Sequence, residues 1–135
     1  MALQLSTTVR NAQLDALETA IGASAVLKIR TGAAPANCGT ADSGTVLATL
    51  PLPSDYMAAA SSGSKAKAGT WEDTSADATG TAAHWRLYAS DGTTCHAQGT
   101  VTATGSGGDM TVDNTSFASG QAFTVTTFTL TAGNA

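Results

Sequence analysis

Residues 82–104, AAHWRLYASDGTTCHAQGTVTAT, restrict the fold of this chain more than any other stretch. Two β-prone runs flank Ser90-Asp91-Gly92, and Asp-Gly between such runs is a strong hairpin signal. A two-residue loop at Asp91-Gly92 would set Leu87 opposite His96 and Trp85 opposite Gln98, mixing polar and apolar groups on both faces. A three-residue loop, Ser90 to Gly92, sets Leu87 opposite Cys95 and Trp85 opposite Ala97. It leaves His84, Arg86, His96 and Gln98 together on the other face. Burial at a period of two requires that sorting. The sequence therefore predicts the three-residue loop, with Gly92 in the left-handed conformation that glycine adopts freely.

A helix precedes the hairpin. Residues 1–5 read as an arm, Ser6 or Thr7 as a cap, and 7–21 as the helix, stopped by Gly22. Leu14, Leu17 and Ile21 fall at i, i+3 and i+7, and Ala16 and Ala20 widen the stripe. Arg10, Gln13 and Glu18 lie largely opposite. So narrow a stripe suits close packing on a flat surface, either a face of the sheet or a sister subunit. Leu14, Leu17 and Ile21 are accordingly candidate interface residues.

Short strands and turn-rich loops fill the rest. Residues 24–30 read as a half-exposed strand, with Ala25, Leu27 and Ile29 on one side and Lys28 and Arg30 on the other. Residues 31–43, TGAAPANCGTADS, form a long loop by composition. In 44–52, Val46, Ala48, Leu50 and Leu52 are in register, and Pro51 places that strand at an edge or ends it. Ser54-Asp55 caps at most one helical turn, 56–60. Trp71, near the end of a strand over 65–72, is either a core anchor or an interface anchor. The linker 105–109, GSGGD, reads as the most flexible connection, and 110–112 as a short strand. In 120–130, a bulge near Thr126-Thr127 would put Phe123, Val125, Phe128 and Leu130 on one side. The expected core is Leu27, Ile29, Val46, Leu50, Trp85, Leu87, Val101, Phe123, Val125 and Phe128. No second helix is long enough for a βαβ crossover. The pattern predicts a mainly β chain, an antiparallel β-sandwich or flattened barrel with one N-terminal α-helix. Arm and helix occupy 1–22 and the β-sandwich 23–135, a single structural domain overall.

Charge limits what such a surface suits. Charged residues are 12% of the 135, about half the usual share, and a Thr-, Ser-, Ala- and Gly-rich surface favours contact with other protein. The net charge is −4 with no Lys/Arg cluster to neutralise phosphates, which argues against nucleic acid. Lys65-Ala66-Lys67 reads as a solvated strand face, too short to bind a membrane. The opening MALQLSTTVRNAQ lacks the features of a secretory signal, and no run approaches the ~20 apolar residues of a membrane span. The chain is expected to be made in the cytoplasm and to stay there or leave by assembly into a particle. In that reducing compartment Cys38 and Cys95 read as small, mostly buried hydrophobes, with a disulfide as the alternative.

No catalytic constellation emerges. His84 and His96 would be neighbours on one hairpin face, but two histidines without a third ligand make a poor metal site. They read as polar sheet-surface residues. Residues 105–108 share a phosphate loop's composition but open no helix and lack its lysine. Glu72 and Asp73, adjacent in a strand, point to opposite faces and cannot flank one bond. No catalytic residue, metal or cofactor is expected, and the chain does not read as an enzyme.

The opening LSTTVRNAQLDALETAIGASAVLKIRTG is followed by LATLPLPSDYMAAASSGSKAKAGTW, TAAHWRLYASDGTTCHAQGTV and GDMTVDNTSFASGQAFTVTTFTLT. Over nearly its whole length the chain thereby resembles a family of small structural proteins of tailed bacteriophages and prophages. The resemblance implies a virion structural protein without catalytic residues. The β-sandwich reading then points to a capsid decoration or cement protein that bridges and stabilises major capsid subunits. Its expected partners are the major capsid protein and other copies of itself, as a homo-oligomer in the particle. Its expected location is the virion, after synthesis in the bacterial host cytoplasm. Leu14, Leu17, Ile21 and Trp71 are the residues expected to bury against the shell. The alternative is a tail or fibre component that binds the host surface through exposed aromatics, for which Tyr56, Trp71 and Tyr88 are the candidates.

Overall fold

The computed structural model describes residues 2–133. Helix α1 (Thr7–Ile21) has the bounds that its capping signals predict. Ser6 is extended and its hydroxyl accepts from Val9 N at 3.3 Å, while Gly22, at φ 86°, donates to Glu18 O. Eleven short strands follow among the described residues: β1 (Val26–Arg30), β2 (Val46–Pro51), β3 (Ser64–Ala66), β4 (Trp71–Asp73), β5 (Gly80–Thr81), β6 (His84–Tyr88), β7 (Cys95–Ala103), β8 (Met110–Val112), β9 (Ser116–Phe117), β10 (Phe123–Val125) and β11 (Thr129–Thr131). The fold is mainly β, with one N-terminal helix and a curled, mostly antiparallel sheet of the sandwich or flattened-barrel kind.

The principal sheet has the order β2-β1-β6-β7-β8. Pro51 closes β2, which is an edge strand, where a missing N–H costs no ladder bond. Strands β6 and β7 form the expected hairpin, but in a different register. Leu87 pairs with Ala97 and Trp85 with Gly99, while Tyr88 pairs with Cys95 across a bulge at His96. The chain reverses over 90–93, inside the bond from Ala89 N to Thr94 O. The carboxylate of Asp91 organises this turn by accepting from Thr93 N and Thr94 N, each at 2.9 Å, and from the Thr94 hydroxyl. Gly92 is left-handed at φ 70°. Up to the bulge the register moves by two residues, so Trp85, Leu87 and Ala97 keep the face that sorting assigned to them, whereas Cys95, expected opposite Leu87, pairs with Tyr88 and turns to the Arg86 face.

Strand β8 departs from the antiparallel expectation. It runs parallel to β7, Val101 opposite Met110, after a return of only six residues, 104–109. Parallel neighbours ordinarily need a longer crossover. Here side chains of β7 fasten the glycine-rich return: Thr102 Oγ1 accepts from Gly108 N, and Asp109 Oδ2 accepts from Thr100 N. The end of the segment expected to be the most flexible, 108–109, is therefore tied to β7.

The second layer is a broken ribbon. Strand β10 pairs with β4 and β11 with β3, and the bond from Lys67 N to Phe128 O links the two pieces. The break over 126–128 fulfils the expected bulge. Val125 and Phe128 are buried, and Phe123 and Leu130 pack on the core half-exposed. A run of ring contacts joins the layers: Trp85 of the sheet meets Phe128 edge-on at 5.4 Å, Phe128 meets Trp71 at 5.5 Å, and Trp71 meets Tyr56 at 6.4 Å.

Four local expectations are corrected. Residues 56–60 form no helical turn; Met57 instead bridges to Lys67 in β fashion. Leu47, not Val46, is fully buried, because the ladder skips Leu47 between Ile29 and Arg30 and turns both it and Ala48 inward. Arg86 and His84, expected on an outward polar face, are buried because loop 31–45 covers them, with Asn37 O and Thr40 O on Arg86 and Gly32 O on His84. Lys65 is also buried, at 2% exposure, rather than part of a solvated face.

Candidate interaction surface

Lys65 fixes how α1 sits. Its ammonium donates to Asp15 Oδ1 at 2.7 Å, to Ala58 O at 2.9 Å, and pairs with Glu18 Oε2 at 2.9 Å, so all three N–H bonds are used. Burial alone would lower its pKa, but the two carboxylates hold it above the ordinary lysine value. The hydrogen bond from Lys65, aided by one from Ala60 N, holds Asp15 below the ordinary carboxylate value. Arg10 Nε donates to Ala132 O at 2.8 Å, and Asn11 Oδ1 accepts from Gly63 N at 2.9 Å. Gly63, at φ 75°, has the left-handed conformation that glycine favours, and the guanidinium of Arg10 lies where a Cβ would stand.

These bonds orient the helix. Leu14 and Ile21, about 20° apart around its axis, face inward and are buried. Leu17 lies about 60° to the side of Leu14 and is 44% exposed. The predicted stripe is thus divided, and only Leu17 of the three is left to offer a partner. Trp71, the fourth interface candidate, is a core residue at 1% exposure, its indole N–H bonded to Tyr56 O at 3.1 Å and Ala68 O at 3.2 Å.

The outward side of α1 consists of Val9, Ala12, Gln13, Ala16, Leu17 and Ala20, all exposed. It carries no charge of its own: Arg10 and Glu18 are engaged with the body of the domain, and Asp15, paired with Lys65, stays half-exposed at its margin. Leu3, ahead of the helix, is 77% exposed. Leu3, Val9 and Leu17 are the exposed large hydrophobic residues of the described chain. Tyr56, Trp71 and Tyr88 are all buried, so they form no aromatic platform for a surface ligand.

On the far side of the sheet, loop 31–45 lies across β6. Arg86 is the clamp. It donates to Asn37 O and Thr40 O at 3.0 and 3.1 Å and to Gln98 Oε1 at 3.1 Å, and forms a short ion pair with Asp42 Oδ1. Asp42 also receives the Tyr88 hydroxyl at 2.7 Å and Arg30 at 2.9 Å. Desolvation pushes the Asp42 pKa up, but these donors outweigh it and hold the carboxyl below its ordinary value. Burial, with Asp42 adding to it, pushes Tyr88 up to about 12. Gln98 Nε2 reaches Pro35 O at 2.6 Å, and His84 Nδ1 donates to Gly32 O at 2.7 Å. Cys38 Sγ lies 2.7 Å from Cys95 Sγ.

No catalytic geometry accompanies these clusters. His84 is enclosed at the start of β6, opposite Thr100, while exposed His96 sits at the hairpin's other end. Among the described residues no three His, Cys, Asp or Glu side chains gather to hold a metal ion. A depression of about 550 Å³ lies beside α1, and its Asp15 and Glu18 are those already bound to Lys65. No described helix is long and apolar enough to cross a membrane.

No family model, curated protein or solved structure matches the chain.

The sequence reading missed Arg86, Asp42 and Lys65. One signal was available. In a chain this poor in charge, arginines in two runs otherwise able to be central strands call for a buried partner, and Asp42 lies in the long loop between them. For Lys65 nothing local pointed to Asp15 and Glu18, fifty and forty-seven residues earlier.

Proposed function

We propose that this chain is a non-enzymatic structural protein of a tailed-phage virion, a head decoration protein. It lies with the outward side of α1 against major capsid subunits and against other copies of itself. The observation that carries this reading is the division of charge on α1. Its ions are spent holding the helix to its own domain, and a neutral strip bearing Val9 and Leu17 is left outside. Covering such a strip removes apolar surface from water without burying an ion at its centre, Asp15 lying at its margin. Alanines at 12, 16 and 20 allow a partner to come close. Each contact is modest, and symmetric repetition makes the set strong.

The resemblance of the chain to small phage structural proteins supports a place in the particle, reached from the bacterial host cytoplasm, with no catalytic residue, cofactor or nucleic acid involved. The tail or fibre alternative depended on exposed aromatics and finds none of its three candidates on the surface.

The test is a pair of variants. Val9→Asp with Leu17→Asp is expected to leave the circular dichroism spectrum unchanged and to alter stability by no more than about 1 kcal/mol, as befits exposed sites. The same double variant is expected to lose co-sedimentation with heads that lack the protein, and heads exposed to it should release DNA at the temperature of undecorated ones. Leu14→Asp, by contrast, places a charge in the core and should unfold the free domain. Undiminished head binding by the double variant would contradict the assignment.

A further inference from the structure

We propose that Cys38 and Cys95 form an intrachain disulfide by exchange with a small-molecule disulfide such as oxidised glutathione, fixing loop 31–45 covalently to the sheet.

Several independent bonds deliver the two sulfurs to each other. Cys95 opens β7, beside the bulge at His96, and pairs with Tyr88. Cys38 lies in a tight turn in which Asn37 Oδ1 accepts from Gly39 N at 2.9 Å and from the Thr40 hydroxyl at 3.2 Å. Both sides of that turn are tied down. Pro35 O is held by Gln98, Asn37 O and Thr40 O by Arg86, and Asp42 by Arg86, Arg30 and Tyr88. The loop therefore has no freedom to carry Cys38 elsewhere. The sulfurs lie 2.7 Å apart, and bonding at about 2.05 Å asks for an approach of well under 1 Å. Both residues are partly exposed, so a small oxidant reaches them.

The chemistry balances as ordinary thiol–disulfide exchange. Burial, reinforced by the hydrogen bond to Cys38, pushes the Cys95 thiol up to about 11, so at neutral pH Cys95 holds its proton and donates toward Cys38. Cys38 attacks one sulfur of the oxidant, its proton passing to solvent, forming a mixed disulfide and expelling one small thiolate. Cys95 then attacks Cys38 Sγ, its proton passing to solvent, and the second small thiolate leaves. Two protein thiols and one small disulfide become one protein disulfide and two small thiols. The closed ring joins positions 57 residues apart, long enough to restrict the unfolded chain strongly.

The test needs only the purified chain, reduced or treated with oxidised glutathione, and is independent of any role in a particle. Oxidation is expected to give a monomer lighter by two hydrogens, a cross-linked peptide joining Cys38 to Cys95, and a melting temperature higher by about 10 °C. Cleavage within 31–45 by added protease should slow at least tenfold, and dithiothreitol should reverse all of these changes. Cys38→Ala with Cys95→Ala should melt near the reduced wild type and ignore the oxidant. A lasting glutathione adduct, a disulfide between two chains, or a Cys38–Cys95 link that changes neither melting nor cleavage would overturn the proposal. The wild-type comparison stands even where the variant folds poorly.

Discussion

Arg86→Ala is expected to destabilise the domain by about 2–4 kcal/mol, mainly through the hydrogen bonds that its buried guanidinium leaves unmade. At 1% exposure the guanidinium holds four acceptors, on Asn37, Thr40, Asp42 and Gln98, and alanine replaces none of its donors. Two backbone carbonyls then lose partners beneath the loop. Arg86→Lys should recover little of the loss, because one ammonium cannot span the planar fork that meets these acceptors. Chemical denaturation measures the cost. Faster cleavage within 31–45 and faster labelling of Cys38 would localise it to the loop. A loss under about 1 kcal/mol with the loop still protected would mean that it is held by something other than Arg86.

The same clamp sets a limit in acid. A carboxyl whose pKa is lowered in the folded state stabilises the fold at every pH above its unfolded value, about 3.9. That stability disappears as pH falls through the folded value. Asp42 is such a group. The gap between wild type and Arg86→Ala should therefore narrow below about pH 4 and remain wide at neutrality.

Trp71→Ala should cost about 3–5 kcal/mol, a large share of the 5–15 kcal/mol that holds a domain of this kind together. Trp71 fills the middle of the ring series from Trp85 to Tyr56, and few other bulky side chains in the core are available to close the space. Trp71→Phe separates packing from hydrogen bonding. It keeps most of the apolar contact but leaves Ala68 O without the indole donor, and is expected to cost about 1–3 kcal/mol. Thermal melts of both variants measure the effect. A Trp71→Ala protein as stable as wild type would return Trp71 to the surface role that its burial denies.

The sequence carried the parts of this fold that depend on neighbours along the chain. Ser6 and Gly22 mark the ends of α1 because capping is satisfied within one turn. Pro51 marks an edge, and Thr126-Thr127 a break in pairing, through purely local constraints. The hairpin faces, Cys95 excepted, were legible too, since polar and apolar residues alternate along β6 and β7. Its register was not, because the carboxylate of Asp91 builds a longer turn and the bulge at His96 absorbs the mismatch. Nor was the inward side of α1. Hydrophobicity alone groups Leu17 with Leu14 and Ile21, and it is Lys65, far along the chain, that rotates the helix by drawing in Asp15 and Glu18. A lysine beside alanines is read locally as solvated, and only the folded chain supplies the two carboxylates that make its burial stable. The neutral outer strip is a consequence of those pairings, so the candidate surface became definable only with the fold.

Particle composition tests the central claim most directly. Quantitative mass spectrometry of purified virions, with heads and tails also analysed apart, should find this chain in the head fraction at a copy number on the order of that of the major capsid protein. Detection at only a few copies, confinement to tails, or absence from purified particles would contradict a decoration role.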